Sequence, residues 1–190
     1  MPDTTRKRTR HRRAIWAGTA FAVFGPFELP LAADGGFDAT PAARRRVLAD
    51  IAGREDGLAA ACGCFVFSLR GRAAALPWYV GRADGGSFAE VCLSDACLRI
   101  YAQAQACMPC LDAHLHLLGR LDCGGLPASG TGAEIACVEQ ALIRLARARN
   151  PALLNADGEA PLPAPAATLL RPLYAPRTID ARALRAVLGL

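Results

Sequence analysis

The spacing of apolar and polar positions changes several times along the chain, and each change marks an element. Residues 64–69, Cys-Phe-Val-Phe-Ser-Leu, are almost continuously apolar and β-prone, and 78–80, Trp-Tyr-Val, repeat that character. The Gly/Arg/Ala-containing segment 71–77 between them has the length of a hairpin-type connection. Residues 113–121 alternate, which predicts a third strand near 114–121, half-exposed, with His114 and His116 on one face. Helical spacing takes over elsewhere. Thr40 and Pro41 read as an N-cap and first helical position; Val47, Leu48 and Ile51 share a face, and Gly53 ends the helix. Ser94 caps a helix expected over 94–106, with Leu98, Tyr101 and Ala102 on one side. A further helix is expected over 133–149, stopping before Pro151, with Ile135, Val138, Leu142, Leu145 and Ala146 as its buried stripe. Pro161, Pro163, Pro165, Pro172 and Pro176 predict a stretch of little regular structure before a short helix over 180–188. No internal repeat is visible.

A chain of 190 residues supports one domain with extensions rather than two full cores. Its 53% apolar and 21% charged residues are those of a globular protein. The net charge of +5 is local: Arg6, Lys7, Arg8, Arg10, Arg12 and Arg13 stand against Asp3 alone, and the remainder is balanced. Such a tail can bind nucleic acid without reading sequence, by neutralising phosphates, or can be a solvated leader. The apolar run 14–24 behind it has signal-peptide length, with small residues at Ala32 and Ala33, and is too short to span a bilayer. Pro26, Glu28 and Pro30 intervene before any cleavage point, so a cytoplasmic location is expected, with export as the alternative. The expected organisation is a basic leader and extended segment over 1–36, an α/β core with a preceding helix over 37–158, and a Pro-rich extension over 159–190.

The combination Gly63-Cys64-Phe65, Trp78-Tyr79-Val80-Gly81, Glu139 and Asn155 resembles the GIY-YIG nuclease family over about residues 63–155. The segment 24–30 also looks like the lead-in of bacterial GIY-YIG-like proteins. The resemblance implies an α+β fold, a small three-stranded antiparallel sheet flanked by helices, with N- and C-terminal extensions. It implies that Glu139 holds one Mg²⁺ or Mn²⁺ at the scissile phosphate, that Tyr79 orients or activates the attacking water, and that Asn155 helps organise the site. Gly63 and Gly81 fill positions where the backbone turns or packs closely. Arg82 and Arg99 are the cationic candidates for the phosphate.

Each of these residues also has an ordinary reading. Glu139 falls inside or at the edge of an apolar stripe, where a carboxylate needs a cation or hydrogen bonds; it can instead snorkel or pair with Arg144 or Arg147. Tyr79 can be a half-buried strand aromatic, Asn155 a turn former, and Arg99 a surface arginine. The chain also departs from the family. Phe65 stands where the family has a tyrosine and carries no hydroxyl, and Ala96 and Cys97 stand where a histidine and a basic residue are expected.

Eight cysteines are few for a disulfide scaffold of this length, and several sit in apolar runs as small hydrophobes. Cys107 and Cys110, with His114 and His116, make a zinc alternative in which two thiols and two imidazoles fill a tetrahedral site. Three readings follow. The first is a GIY-YIG-like, metal-dependent endonuclease acting on DNA; the second is a degenerate relative that binds nucleic acid or protein without cutting; the third is a small zinc-binding interaction module.

Overall fold

The computed structural model describes residues 20–33, 35–155 and 166–190. An α+β architecture results, with one antiparallel sheet flanked by helices. The sheet is built from β1 (Phe21–Leu29), β2 (Gly63–Arg70), β3 (Ala75–Ala83) and β4 (Asp112–Arg120) in the order β1-β4-β2-β3. It has four strands, not the three expected. The extra one, β1, absorbs the end of the apolar run behind the basic tail. It pairs with β4 from Phe21 opposite Arg120 to Leu29 opposite Ala113. Local pattern hides it because Phe24 and Phe27 are three apart and would face opposite sides of a regular strand. A register shift between them turns both into the same core.

Strands β2 and β3 form the expected hairpin, with Phe65 opposite Gly81 and Phe67 opposite Tyr79. β3 starts earlier than its sequence suggests, at Ala75, because a second register shift, between Phe67 and Ser68, accommodates Pro77. Proline lacks the N–H a central strand needs, and β3 lies on the sheet edge. The connection is therefore only 71–74, closed by Gly71 N–H donating to the Ala74 carbonyl.

Helices cover both faces. Thr40 accepts from Ala43 N–H and starts α1 (Pro41–Arg54). After β3 come the single turn α2 (Phe88–Val91), with a Ser87–Glu90 capping box, and α3 (Asp95–Cys107), capped by Ser94. Then follow α4 (Ala133–Arg149), α5 (Ala166–Leu169), α6 (Arg171–Tyr174) and α7 (Ile179–Leu188), the last capped by Thr178. The single turns α5 and α6 correct the expectation of little regular structure there. Pro172 sits in the first turn of α6, where no helical N–H is required. None of the described helices is long and apolar enough to cross a membrane.

The sheet separates two cores. One joins Phe24, Phe27, Phe65, Phe67, Leu115 and Leu117 to Val47 and Ile51 of α1 and to Leu98 and Tyr101 of α3. The other joins Phe21, Val23, Cys64, Val66, Val80 and Leu118 to Ile135, Val138 and Leu142 of α4 and to Leu184 and Val187 of α7. Each fully buried Leu or Phe contributes about 1.5–3 kcal/mol. In the first core Tyr101 stacks on Phe67, ring centroids 4.3 Å apart, and donates its hydroxyl to the Cys92 carbonyl at 2.8 Å.

Strand β4 corrects another expectation. Its alternation puts His114 and His116 on one face, but that face is buried. Burial pushes the His116 imidazole down to about 3, helped by neighbouring His114. His114 is lowered by burial too, against the opposing charges of Glu28 and Asp112. A histidine held neutral in the fold takes up protons preferentially when unfolded. Stability is therefore full above pH 6.5 and lost as pH falls from there toward about 3. His116→Leu should flatten the acid limb of urea midpoints between pH 6.5 and 4 by up to about 1.4 kcal/mol per pH unit. An acid limb as steep as in the wild type would contradict this account of the buried imidazole.

Candidate active site

Alternation along β3 divides its side chains. Tyr79 packs against the first core, while Val80 belongs to the second. Arg82, opposite Cys64, points with Val80 toward α4. Glu139 follows the buried Val138 on α4 and meets it there: Arg82 Nη1 lies 3.1 Å from Glu139 Oε2. The carboxylate side chain is only 16% exposed and the guanidinium 44%, so the pair lies at the boundary of the core. Burial raises the proton affinity of Glu139, Arg82 works against that rise, and Asp84 adds to it. Asp84 lies just past the end of β3 and accepts from Gly132 N–H, at the start of α4, at 3.3 Å. Cys64, buried beneath, has its thiol pushed far up by burial and next by Glu139.

Tyr79 is half-buried, its ring centroid 6.2 Å from Phe65 and 6.4 Å from Tyr101. Its phenol is pushed up to about 12, by burial first, then by Cys97 and by Glu139. It is therefore protonated at neutral pH and suited to hold a water through hydrogen bonds. Tyr79 and Glu139 stand on opposite sides of an edge strand, yet the Glu139 charge contributes to the rise at Tyr79. Phe65 is fully buried, and its ring occupies the space a Gly81 side chain would need. At Gly63, whose φ is +148°, a side chain would run into the Leu118 carbonyl and the Phe88 ring. Both motif glycines are thus demanded by close packing.

Asn155 is committed to the backbone. Its Oδ1 accepts from Val80 N–H at 2.9 Å and its Nδ2 donates to the Val80 carbonyl at 2.7 Å. Two further bonds extend this strap along the outer edge of β3: Leu154 N–H to the Trp78 carbonyl, 2.9 Å, and Asn150 Nδ2 to the Pro77 carbonyl, 2.8 Å. Arg147 Nη2 donates to the Asn155 carbonyl at 3.2 Å. Asn155 thereby acts as a positioning residue for the strand that carries Tyr79 and Arg82.

The remaining candidates do not join this group. Arg99 is exposed on α3 and makes no ion pair with a described residue. The basic tail at 6–13 lies outside the described residues. Cys107 and Cys110 are exposed at the end of α3, which packs on the first core. His114 and His116 alternate with Ala113, Leu115 and Leu117 of that core and so face the other way. Cys107 thus ends a helix on one face of the sheet, while the two imidazoles point to the other. A cavity of about 440 Å³, lined by Glu28, Arg46, Asp50 and Asp112 among others, lies where β1, α1 and the start of β4 meet, away from Glu139.

Among the described residues no group of three or more His, Cys, Asp or Glu is placed to hold a metal ion. Mg²⁺ asks for less, since it commonly binds through one or two carboxylates and completes its shell with waters and substrate phosphates. A half-buried carboxylate already compensated by a cation, with Asp84 nearby, fits that donor set. Asp84 and Asn150 escaped sequence analysis. Asp84 had a signal in its period-two spacing from Arg82; Asn150 had none beyond its place before Pro151. Comparison of the chain with protein-family models, curated proteins and solved structures gives no match in any of the three.

The strap makes a direct prediction. Asn155→Ala leaves the Val80 N–H and carbonyl without these partners and should cost about 1–3 kcal/mol of stability. Amide exchange should accelerate at Val80 and not at Val66, in the strand interior. Equal acceleration at both would show that the strap does not act locally.

Proposed function

We propose that this chain is a GIY-YIG-like, metal-dependent endonuclease that hydrolyses phosphodiester bonds in DNA. The observation that carries the reading is the Arg82–Glu139 pair. It is a half-buried carboxylate with a partly exposed guanidinium, held at the end of the strand that bears Tyr79. The hairpin register, with Phe65 opposite Gly81, and the third strand β4 beside β2 support the same reading. So does the Asn155 strap.

In this reading Glu139 holds Mg²⁺ or Mn²⁺, with Asp84 as the nearest further carboxylate. The bound metal supplies charge stabilisation at the phosphate and a more acidic water. Tyr79, protonated, stands on the other face of β3 and would orient the attacking water only across the strand edge. Arg82 steadies the negative charge that develops on the phosphate oxygens. Asn155 fixes the strand so that these groups keep their spacing. The basic tail adds affinity for the DNA backbone without sequence preference. Eight free cysteines accord with a reducing, cytoplasmic setting.

A second reading has its own support. Phe65 offers no hydroxyl, and burial gives Tyr79 little tendency to ionise. These features fit a relative that binds DNA without cutting it. Cleavage of plasmid and branched DNA in Mg²⁺ or Mn²⁺ separates the two. We expect weak metal-dependent nicking that Glu139→Gln abolishes and Tyr79→Phe lowers about 10²-fold or more. Phe65→Tyr should raise it, because it restores a phenol beside Gly81. Folded wild-type and Phe65→Tyr proteins that bind DNA yet leave it intact would establish the non-cutting reading instead.

A further inference from the structure

The Arg82–Glu139 contact is made through one nitrogen and one oxygen, and its two partners differ in freedom. Glu139 is fixed on a helix and largely buried; Arg82 ends in a guanidinium nearly half exposed. A carboxylate at that depth needs a compensating cation, and in the free protein Arg82 supplies it. The same carboxylate is the metal ligand of the proposed function, and the same guanidinium is its phosphate contact. One group cannot serve both partners at full strength.

We propose that Arg82 is an exchangeable internal cation, which neutralises Glu139 in the free protein and transfers to a DNA phosphate when a divalent cation takes the carboxylate. This rests on the reading of Glu139 as the metal ligand. Metal entering alone competes with Arg82 for the Glu139 carboxylate and weakens the guanidinium's only described ion pair. Phosphate arriving alone competes with Glu139 for Arg82 and leaves the carboxylate less compensated. When both arrive, each relieves the cost the other imposes. Metal and DNA therefore bind cooperatively, and by linkage each strengthens the other by the same factor. The exchange also keeps the metal site weak until a phosphodiester is present.

The test is a titration of the full chain with Mn²⁺, free ion being counted by electron paramagnetic resonance. It is done without and with a short phosphorothioate-linked DNA duplex, which keeps its charge and resists hydrolysis. Wild-type protein should bind one Mn²⁺ weakly and about fivefold or more tightly with the duplex, within the usual range of coupling between sites. Arg82→Gln should tighten Mn²⁺ binding by the free protein about fivefold and reduce the gain from the duplex to about twofold or less. Arg82→Met, which keeps an unbranched stem, is measured alongside and should behave the same way, so that the result does not depend on one variant folding. Free-protein affinity that is unchanged or weaker in the folded variant overturns the exchange, as does a duplex gain that persists undiminished. An arginine that only contacts phosphate would produce that second pattern. Glu139→Gln distinguishes the other failure: if it binds Mn²⁺ as the wild type does, the metal-ligand reading falls, and the exchange with it.

Discussion

Strand β2 has a hydrogen-bonded neighbour on each edge and packed side chains on each face, and the arrangement of the chemistry follows from that enclosure. A side chain on such a strand meets no water, so a polar group there must find a partner within the protein or remain unsatisfied. Phe65 is what this environment favours, and a tyrosine in its place would have to seat its hydroxyl beyond Gly81. Ser68 is the exception: its hydroxyl is buried and finds no partner among the described residues. Charge is confined to the margins. Arg82 therefore appears on the edge strand β3, where one side of the ladder is open to loops and solvent.

An open edge is also a hazard, since unpaired backbone groups invite pairing with another chain. The strap after α4 deals with this edge using side-chain amides of Asn150 and Asn155 and one backbone N–H from Leu154. The same strap ties the end of α4 to the strand. Glu139 on that helix is thus held at fixed spacing from Arg82 on the strand. Edge protection and site geometry come from one set of hydrogen bonds, and this makes Asn155 important without placing it against a substrate. The ion pair adds little stability by itself at such exposure. Its value lies in allowing a carboxylate to remain charged at the boundary of an apolar core.

The two faces of the sheet carry different materials. The first is aromatic, with Phe67, Tyr101, Phe37 and Tyr79 meeting edge-on or stacked. The second is mainly aliphatic, with Phe21, and its face carries the two imidazoles of β4; both cores contain buried thiols, Cys92 and Cys97 in the first and Cys62 and Cys64 in the second. Tyr79 and Glu139 belong to different faces, and the Glu139 charge reaches Tyr79 at the edge between them. The proposed nuclease chemistry lives at that edge, and whether it proceeds depends on how far a protonated phenol and one carboxylate compensate for the hydroxyl that Phe65 lacks.

Much of this was present in local pattern. Caps at Thr40 and Ser94, the stripe on α4 and the β-prone runs around Phe65 and Tyr79 are short-range signals, and they specify elements because hydrogen bonding and side-chain spacing within one turn or strand are local. The placement of Glu139 at the edge of an apolar stripe was equally legible. What tertiary structure alone decided was which faces stay dry and which edges are covered. β1 required a register shift to bring Phe24 and Phe27 into one core, so its periodicity concealed it. The histidines of β4 share a face as their spacing says, yet only the helices packed above determine that this face is buried. Cys107 lies close to them in sequence, yet it ends a helix packed on the opposite face of the sheet. Period-two alternation states which residues share a side; the long-range packing of distant segments decides what that side touches.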